Sequence, residues 1–589
     1  MTNRTIISLL CVAATLPAYT QVSKEITVER EVVATLRDVS PISFTPSVNL
    51  PSVEKPTLNY SERTITARIP TMFSLLEPTA VADTIPASPW RGYAAIGYFP
   101  AFNLGASAGY RLISSRSTTL DAWLQYDGSS YKIAKDFNSY YGDYDHNVKN
   151  QSGALGLRLS HLSGGGGHLG LEVNYAIDHF NNPFSRWPFG SPVNQTVHRF
   201  GLDGLLTSKT NDLGYSIGLN YKLFSPAKGY HQHTDIRPVR ENYATLSGAL
   251  FATLSETSSY RLDVEAGMIS WSRSGIASTI YTGWENSLIS CDGQTSGLIT
   301  VTPSYRYATG KFSLNLGARV DLSINADKFF HIAPDVKAAL TPSDFFAVFA
   351  RVGGGEHINT MGSLFALDRY IAPVFRYDYS HIPVEGEAGL RVGPFRGASL
   401  TLSAAYASAN GWLMPYSIDL GTTVMQAHDM RGWQFKAGLE YNFRNLANLA
   451  ITATANPQDK DDITKGYYLD RDRARYTLDA ELTLHPMSQL DLMLGYELRA
   501  CRWMNHLYVR SLQYCGTRSA EGYSNLTSIF DYVQALPNLA NLRAGASWRC
   551  TPAFTVFARL ENILNRNTPS YSLIPGQGFK GLVGVAYKF

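Results

Sequence analysis

Hydrophobic and polar residues alternate along most of the chain with a period of two. The pattern is regular in residues 260–268, 312–322, 475–484 and 490–498. In 490–498, the even positions hold four leucines and Tyr496, while the odd positions hold Asp491, Met493, Gly495 and Glu497. Successive side chains of a β-strand point to opposite faces. These segments are therefore predicted to be strands with one apolar face and one charged face.

The predicted strands follow one another through the C-terminal five-sixths of the chain. Between residues 91 and 589 the alternation gives about 22 strands. Short connections (164–167, 211–212, 309–310, 342–344, 444–445 and 551–553) alternate with long ones (133–152, 181–196, 273–295, 358–382, 411–430, 457–473 and 505–537). This order predicts an all-β, transmembrane antiparallel up-and-down barrel, with the long loops at one end and the short turns at the other.

A water-soluble β-sandwich would also alternate, but three features argue against it. The strands are too many, the polar face carries charges of both signs, and aromatic residues recur at the ends of the apolar strands. The last strand places Phe579, Val583, Val585, Tyr587 and Phe589 on one face. An apolar band bounded by aromatic residues suits lipid, so lipid of an outer membrane is the expected surrounding.

The first twenty residues have the features of an export signal. Arg4 precedes an apolar stretch, residues 6–18, that is too short to span a bilayer, and small residues lead to Gln21. Cys11 lies inside that stretch and is assigned to the signal core. We expect a signal peptide over residues 1–20 and a mature chain in the outer membrane of a Gram-negative bacterium.

Residues 21–90 differ in composition from the rest. Eight prolines interrupt them, and strict alternation is rare. One stretch, residues 24–33, is β-prone enough to pair with another chain as an added strand. We interpret 21–90 as a proline-rich N-terminal segment, either a reduced plug in the barrel lumen or an arm that binds a partner, and 91–589 as the barrel.

Composition excludes two other classes of protein. Charged residues make up 17% of the chain and the formal net charge is only +3, so no basic field suited to nucleic acid is expected. No apolar run reaches the length of about 20 residues that a transmembrane helix needs.

Motifs that suggest catalysis have simpler explanations here. The stretch Gly105–Gly109 matches the G-x-S-x-G nucleophile elbow, but it lies in an alternating segment with no helix after it. The glycine run 164–167 lacks the Lys-Ser/Thr of a phosphate loop and is predicted to be a turn. We therefore assign no catalytic residue and no cofactor, and do not expect an enzyme.

Three loops carry candidate ligand-binding residues. One loop carries acidic residues that could bind calcium, Asp459, Asp461 and Asp462, and another carries two histidines that could bind a transition metal, His231 and His233. Neither set completes a coordination shell, so we assign no metal site. The third loop contains aromatic and acidic residues suited to contact with a sugar or peptide, or to packing within the loop itself: Tyr140, Tyr141, Asp143, Tyr144 and Asp145.

The strand count, the segments 556–566 and 575–579, and the terminal Phe589 resemble those of TonB-dependent receptors of the outer membrane. The position of Gln21 directly after the cleavage site is similar to that of a glutamine in exported proteins of the Bacteroidetes. The resemblance implies transport or surface capture of a solute, so far unknown. Two interpretations of Glu25, Ile26, Thr27 and Val28 stay open. In the first, which the resemblance implies, they are the box that binds the TonB-type energy-transducing protein; in the second, they are an ordinary extended segment docked to the barrel wall.

The chain departs from the family at its N-terminal side, where about 70 residues stand in place of a plug of well over a hundred. Three functions therefore stay open. They are an energised transporter or receptor, a passive pore, and a structural barrel that anchors a periplasmic partner through residues 21–90.

The cysteines give one further expectation. Export leaves Cys291, Cys501, Cys515 and Cys550 in an oxidising compartment. Cys501 is taken to lie at the loop-side end of its strand, with Cys515 in the loop that follows. We predict a disulfide between these two, a reduced Cys550 at the other end of its strand, and a free Cys291.

Overall fold

The structure is a computed structural model of the whole chain. It describes residues 90–100, 102–133, 147–183, 193–209, 213–228, 236–272, 275–276, 294–326, 328–372, 379–418, 422–444, 446–457, 469, 474–509, 529–566 and 574–589.

The described residues form 25 strands and one short helix. The strands are β1 Gly92–Phe99, β2 Asn103–Ser114, β3 Thr118–Lys132, β4 Asn147–Leu162, β5 His168–Asn182, β6 Val193–Lys209, β7 Leu213–Pro226, β8 Ile236–Arg237, β9 Glu241–Ser255, β10 Ser258–Trp271, β11 Gly275–Ile276, β12 Thr295–Ala308, β13 Phe312–Ile324, β14 Phe330–Ser343, β15 Phe346–His357, β16 Ser380–Phe395, β17 Ala398–Ile418, β18 Thr422–Phe443, β19 Ala447–Ala455, β20 Ala474–Met487, β21 Leu490–Val509, β22 Ile529–Leu536, β23 Leu539–Arg549, β24 Phe554–Glu561 and β25 Lys580–Lys588. The helix, α1, is Met361–Leu367. None of the described helical residues makes a helix long and apolar enough to cross a membrane.

The wall is a closed antiparallel barrel of 22 strands, as the sequence predicts. Each wall strand pairs with its neighbours in the chain, and β1 pairs with β25 from Tyr93↔Lys588 to Tyr98↔Val583, which closes the ring. Two short strands, β8 and β11, form a separate ladder. Both β22 and β23 pair with β21, so they are two halves of one wall strand, interrupted at residues 537–538.

The two faces of the wall differ as the alternation predicts. Large apolar side chains on the outside are exposed, among them Leu494 at 48%, Trp548 at 55% and Val583 at 50%. The intervening positions, on the inside, carry the charged residues. A closed barrel leaves no backbone edge unpaired, and an exposed apolar belt needs lipid to cover it.

The start of β1, the C-terminal Phe589 and the short turns share one end of the barrel, called here the short-turn end. The backbone N–H groups of Arg91 and Gly92 both donate to the carbonyl of Phe589 at 2.8 Å. The turn at 163–167 and the turns after β14 and β18 lie at this end too, and the long connections lie at the other, the loop end. The segment Gly105–Gly109 is interior to β2 and is therefore part of the wall.

Two connections predicted to be long loops contain strand residues. The predicted loop 411–430 is filled by β17 and β18, which run on to Ile418 and start again at Thr422. The predicted loop 505–537 begins with the end of β21, which continues to Val509. The alternation weakens here because residues 412–417 are buried on both faces.

The placement of Cys501 was wrong for the same reason. Since β21 runs eight residues beyond it, Cys501 is not at the end of its strand. It has a φ of +53° and lies opposite the interruption at residues 537–538, where its N–H donates to Asn538 Oδ1 at 3.0 Å. Cys501 and Cys550 are exposed free cysteines. This agrees with the prediction for Cys550 and contradicts a bond from Cys501 to Cys515. Cys515 and Cys291 lie outside the described residues.

The face assignment can be tested with a matched pair of substitutions on β21. Leu494→Arg places a cation on the lipid face and should destabilise the barrel by about 2–4 kcal/mol. Met493→Arg places the same side chain in the lumen, where water and carboxylates can reach it, and should cost much less. The measurement is the urea midpoint of refolding into lipid vesicles, followed by heat-modifiable gel mobility. Equal losses for the two variants would contradict the assignment.

Candidate functional site: a lid at the loop end of the barrel

The connection between β15 and β16 carries the most buried apolar residues outside the wall. We call its described part, residues 358–372, the lid. Its helix α1 starts after Thr360, whose hydroxyl accepts a hydrogen bond from the Ser363 N–H and so caps the first turn. The helix stops at Asp368, which is extended. Met361, Leu364 and Phe365 of α1 are buried.

One side of the lid packs on the wall at β5 and β7. The ring of Phe365 lies 5.9 Å from that of Phe180 and 5.4 Å from that of Phe224, and the Tyr370 ring meets Phe180 edge-on at 5.6 Å. The guanidinium of Arg369 lies over the Phe180 ring at 5.8 Å. Burial raises the pKa of Tyr370 far above its usual range, so its phenol stays neutral.

The other side of the lid pairs with β18. Thr423 N donates to Tyr370 O at 3.0 Å, and Ala372 N donates to Thr423 O at 2.9 Å. Thr423 Oγ1 also donates to Asp368 Oδ2 at 2.6 Å. The two backbone bonds form an isolated parallel bridge, Ile371↔Thr423, and the residues that make the three bonds are all buried. The lid is thereby attached to the barrel by backbone pairing as well as by packing.

The two contact regions lie far apart on the ring. Eight wall strands separate β7 from β18, namely β9, β10 and β12–β17. The lid nevertheless contributes to a single apolar cluster with residues from both regions, including Val148, Val197, Trp412, Met414 and Tyr416. The lid therefore reaches across the loop end of the barrel from one part of the wall to another.

A buried carboxylate holds the beginning of the helix. Glu241, the first residue of β9, is 3% exposed. Its Oε2 accepts hydrogen bonds from the Met361 N–H at 2.7 Å and from the Trp271 indole N–H at 3.0 Å. Ile358 packs beside it on Ile269 and Trp271. These two hydrogen bonds fix the start of the lid to this third stretch of wall.

The long hairpin β17–β18 contributes to the same assembly. Its tip pairs in parallel with the end of β21, from Tyr416↔Asn505 to Ile418↔Leu507. Leu367 of the lid packs against Met504 of β21 and Leu536 of β22. Strands that extend beyond the wall therefore bend over the loop end and support the lid.

Below the lid, the charges of the lumen pair with one another. Arg499 contacts Asp479 at 2.9 Å and Glu497 at 3.3 Å, and Arg543 contacts Glu481 at 3.5 Å. Partly exposed pairs like these contribute about 0–1 kcal/mol each. Each pair places opposite charges side by side, which makes this part of the inner wall polar without concentrating charge of one sign.

The predicted ligand and partner residues cannot be placed. Tyr140, Tyr141, Asp143, Tyr144 and Asp145, the box Glu25–Val28, the three aspartates 459, 461 and 462, and His231 with His233 all lie outside the described residues. The lid itself was missed, because residues 358–382 were assigned to a loop. The signal was the apolar content of residues 361–372, which is unusual for a loop in water.

A group able to hold a metal lies at the base of the lid. Among the described residues, His331, Glu356 and His381 form one cluster in which the ligand atoms all lie within 4.8 Å of one another. They come from β14, β15 and β16, and no sequence motif brings them together.

Comparison with known proteins shows a likeness in structure alone. No protein-family model and no curated protein sequence matches the chain. A mutant of the ferric enterobactin receptor of Pseudomonas aeruginosa aligns with a TM-score of 0.61 and 12% identity, over 85% of this chain and 80% of that one. The siderophore receptor PirA of Acinetobacter baumannii gives 0.62 and 9%, over 85% and 80%. The FrpB iron transporter of Neisseria meningitidis gives 0.60 and 13%, over 85% and 81%.

The attachment of the lid can be tested at Glu241. Glu241→Ala leaves two buried donors without an acceptor, which should lower the free energy of lid opening by about 1–3 kcal/mol. Hydrogen exchange of the amides in 361–372 should then be roughly 5- to 150-fold faster, with the wall unchanged. The control is Glu256→Ala in the short turn between β9 and β10. Unchanged lid exchange in the Glu241 variant would show that this contact does not hold the lid.

Because the identities are low, the comparisons establish the fold alone. The chain shares the 22-stranded barrel of these iron and siderophore receptors.

Proposed function

We propose that the chain is an outer-membrane barrel that takes up or captures a solute at the cell surface in the manner of TonB-dependent receptors. The observation that carries the proposal is the lid across the loop end of a 22-stranded barrel with a polar, wetted lumen. In bacterial barrels the long loops face outward and the short turns face the periplasm. The lid then stands between the cell exterior and the lumen.

The energised form of this function needs a partner on the periplasmic side. Residue 90 enters the wall at the short-turn end, so the preceding segment joins the barrel at the side where an energy-transducing protein would act. Glu25, Ile26, Thr27 and Val28 are the residues proposed to pair with it. An added strand of this kind binds mainly through its backbone, which suits a β-prone sequence between prolines.

The names of the structural neighbours suggest which class of solute to test first. Their names describe receptors for ferric enterobactin and other siderophores and a transporter of iron. Ferric siderophores are therefore the first ligands to test, with Tyr140–Asp145 as the proposed loop contact.

Two alternative functions are kept because the same barrel could serve them. In a passive pore, the lid would open spontaneously and a partner would be unnecessary. In a structural barrel, residues 21–90 would anchor a periplasmic protein and no solute would pass. The lid favours a gated barrel over an open pore, since its burial and backbone pairing oppose spontaneous opening.

A four-protein conductance experiment separates these functions. The proteins are the full chain, the chain without 21–90, a lid-loosened chain with Phe365→Ala and Asp368→Ala, and the combination, each refolded into planar bilayers. If residues 21–90 act as a reduced plug, the receptor proposal predicts little conductance from the full chain and stable channels only when both the lid and this segment are removed as barriers.

The other outcomes identify the alternatives. Large conductance from the full chain would establish a passive pore. If loosening the lid is sufficient for conductance, with residues 21–90 still present, that segment lies outside the lumen, as a partner-binding arm requires. The absence of conductance from all four proteins would contradict a transport path through the barrel.

A further inference from the structure

Three strands at the loop end bring two imidazoles and a carboxylate into contact. His331 begins β14, Glu356 lies near the end of β15 and His381 lies near the start of β16. The Nδ1 atoms of His331 and His381 lie 3.0 Å and 3.6 Å from the same carboxylate oxygen, Glu356 Oε1. The two imidazole rings are 4.2 Å apart between centroids.

The contact arises because β15 stops pairing with β14 before its last residues, while its pairing with β16 continues. Pairing between β14 and β15 ends at Val336↔Val352, and a run of three glycines, 353–355, follows. Gly355 has φ +127°, which other residues rarely adopt, and a Cβ there would collide with the Arg319 side chain. The end of β15 therefore turns into the lumen and passes over β14.

The new position of β15 is fixed by a buried pair on β13. Asp321 is fully buried, and its Oδ2 accepts a hydrogen bond from the Glu356 N–H at 2.7 Å. Arg319 contacts Asp321 at 2.9 Å and donates to the Glu356 carbonyl at 2.7 Å. The Glu356 backbone is thus held on both sides, and its side chain is directed onto His331 and, across the β15–β16 ladder, onto His381.

The facing atoms of this cluster are buried without hydrogen bonds. His331 Nδ1 and His381 Nδ1 lie close to Glu356 Oε1 but without the geometry of a hydrogen bond, and Glu356 Oε2 makes no hydrogen bond. The Glu356 side chain is 4% exposed. Buried polar atoms in native proteins are nearly always satisfied, and an exception calls for an explanation such as a bound ion. The unpaired atoms here are also of the types that ligate metals.

We propose that His331, Glu356 and His381 bind a divalent transition-metal ion of the zinc type. Ligand atoms placed 2.0–2.2 Å from a tetrahedral zinc lie roughly 3.3–3.6 Å apart, which the observed 3.0 Å and 3.6 Å separations approach. Two imidazole nitrogens and one carboxylate oxygen suit Zn²⁺, Fe²⁺, Co²⁺ or Ni²⁺. Mg²⁺ and Ca²⁺ require shells of oxygen and do not fit this set.

The site lies where a bound ion would act on the lid. Glu356 precedes residues 358–372 in the chain, and His381 follows the whole connection, so the ion joins the two ends of the lid connection to β14. Binding would therefore stiffen the base of the lid. This consequence depends on the lid acting as a gate, whereas the metal site stands independently of any transported solute.

Cobalt binding to the purified full chain in detergent provides the direct test. After removal of metal with a chelator, we expect one equivalent of Co²⁺ to give the visible absorption of a nitrogen–oxygen site, with competition by Zn²⁺ and none by excess Mg²⁺. Loss of an outer-shell partner typically weakens metal binding 10- to 100-fold, so loss of a ligand should weaken it by at least about 100-fold.

The variants are His331→Ala, His381→Ala and the isosteric Glu356→Gln, which keeps the shape of the buried side chain. The matched control is His485→Ala. That imidazole also contacts a carboxylate, Asp491 at 2.6 Å, but it lies at the short-turn end without a third ligand. Heat-modifiable gel mobility shows whether each variant has folded.

The outcomes are distinct. Binding of one equivalent that is lost in the three variants and kept in His485→Ala establishes the site. Absence of stoichiometric binding, or binding that survives all three substitutions, would overturn it. Slower hydrogen exchange of residues 361–372 on addition of Zn²⁺ would support the effect on the lid, and unchanged exchange would overturn that effect alone.

Discussion

The requirement that every backbone group in the wall find a partner governs the rest of the structure. A sheet facing lipid cannot leave an edge open, because an unpaired N–H or C=O in hydrocarbon costs several kcal/mol. The ladder between β1 and β25 removes that edge. Once the ring is closed, the period of two in the sequence has only one consistent arrangement. Apolar residues cover the outside, and the charged residues face inward, where they pair with one another in water.

The same requirement explains where the irregular parts of the chain lie. Irregular backbone is tolerated at a barrel only where protein or water surrounds it. The lid leaves the regular ladder at the loop end, and the end of β15 stops pairing with β14 just before it. Lid backbone groups bond to Thr423 and Glu241 instead, and the Glu356 N–H bonds to Asp321. The lid and the proposed metal site are therefore parts of one departure from the wall, which begins at the glycines 353–355.

The sequence was sufficient for the features that repeat locally. Alternation placed the wall strands, their two faces and the short-turn end, because each strand displays its environment in its own side chains. It failed where burial depends on distant segments. The hairpin tip at 411–430 lost its alternation because the lid covers one face, and Cys501 was misplaced because β21 continues to pair beyond it. Phe365, Glu241 and Thr423 are separated by tens to more than a hundred residues, so no local pattern links them. Glycines 353–355 lie where β15 stops pairing with β14. Nothing local in the sequence shows that His331 lies beneath this point.

The claim on which this account depends most is that the lid is attached to the wall in the resting protein. The direct measurement is oxidative cross-linking of a cysteine pair at Ile371 and Thr423, which form an isolated bridge, in a chain whose own cysteines are replaced by serine. Both positions are buried, at 2% and 0% exposure. The account predicts rapid formation of the disulfide in intact cells without added solute, and no labelling of either cysteine by a membrane-impermeant maleimide. Ready labelling at both positions with no cross-link would contradict it.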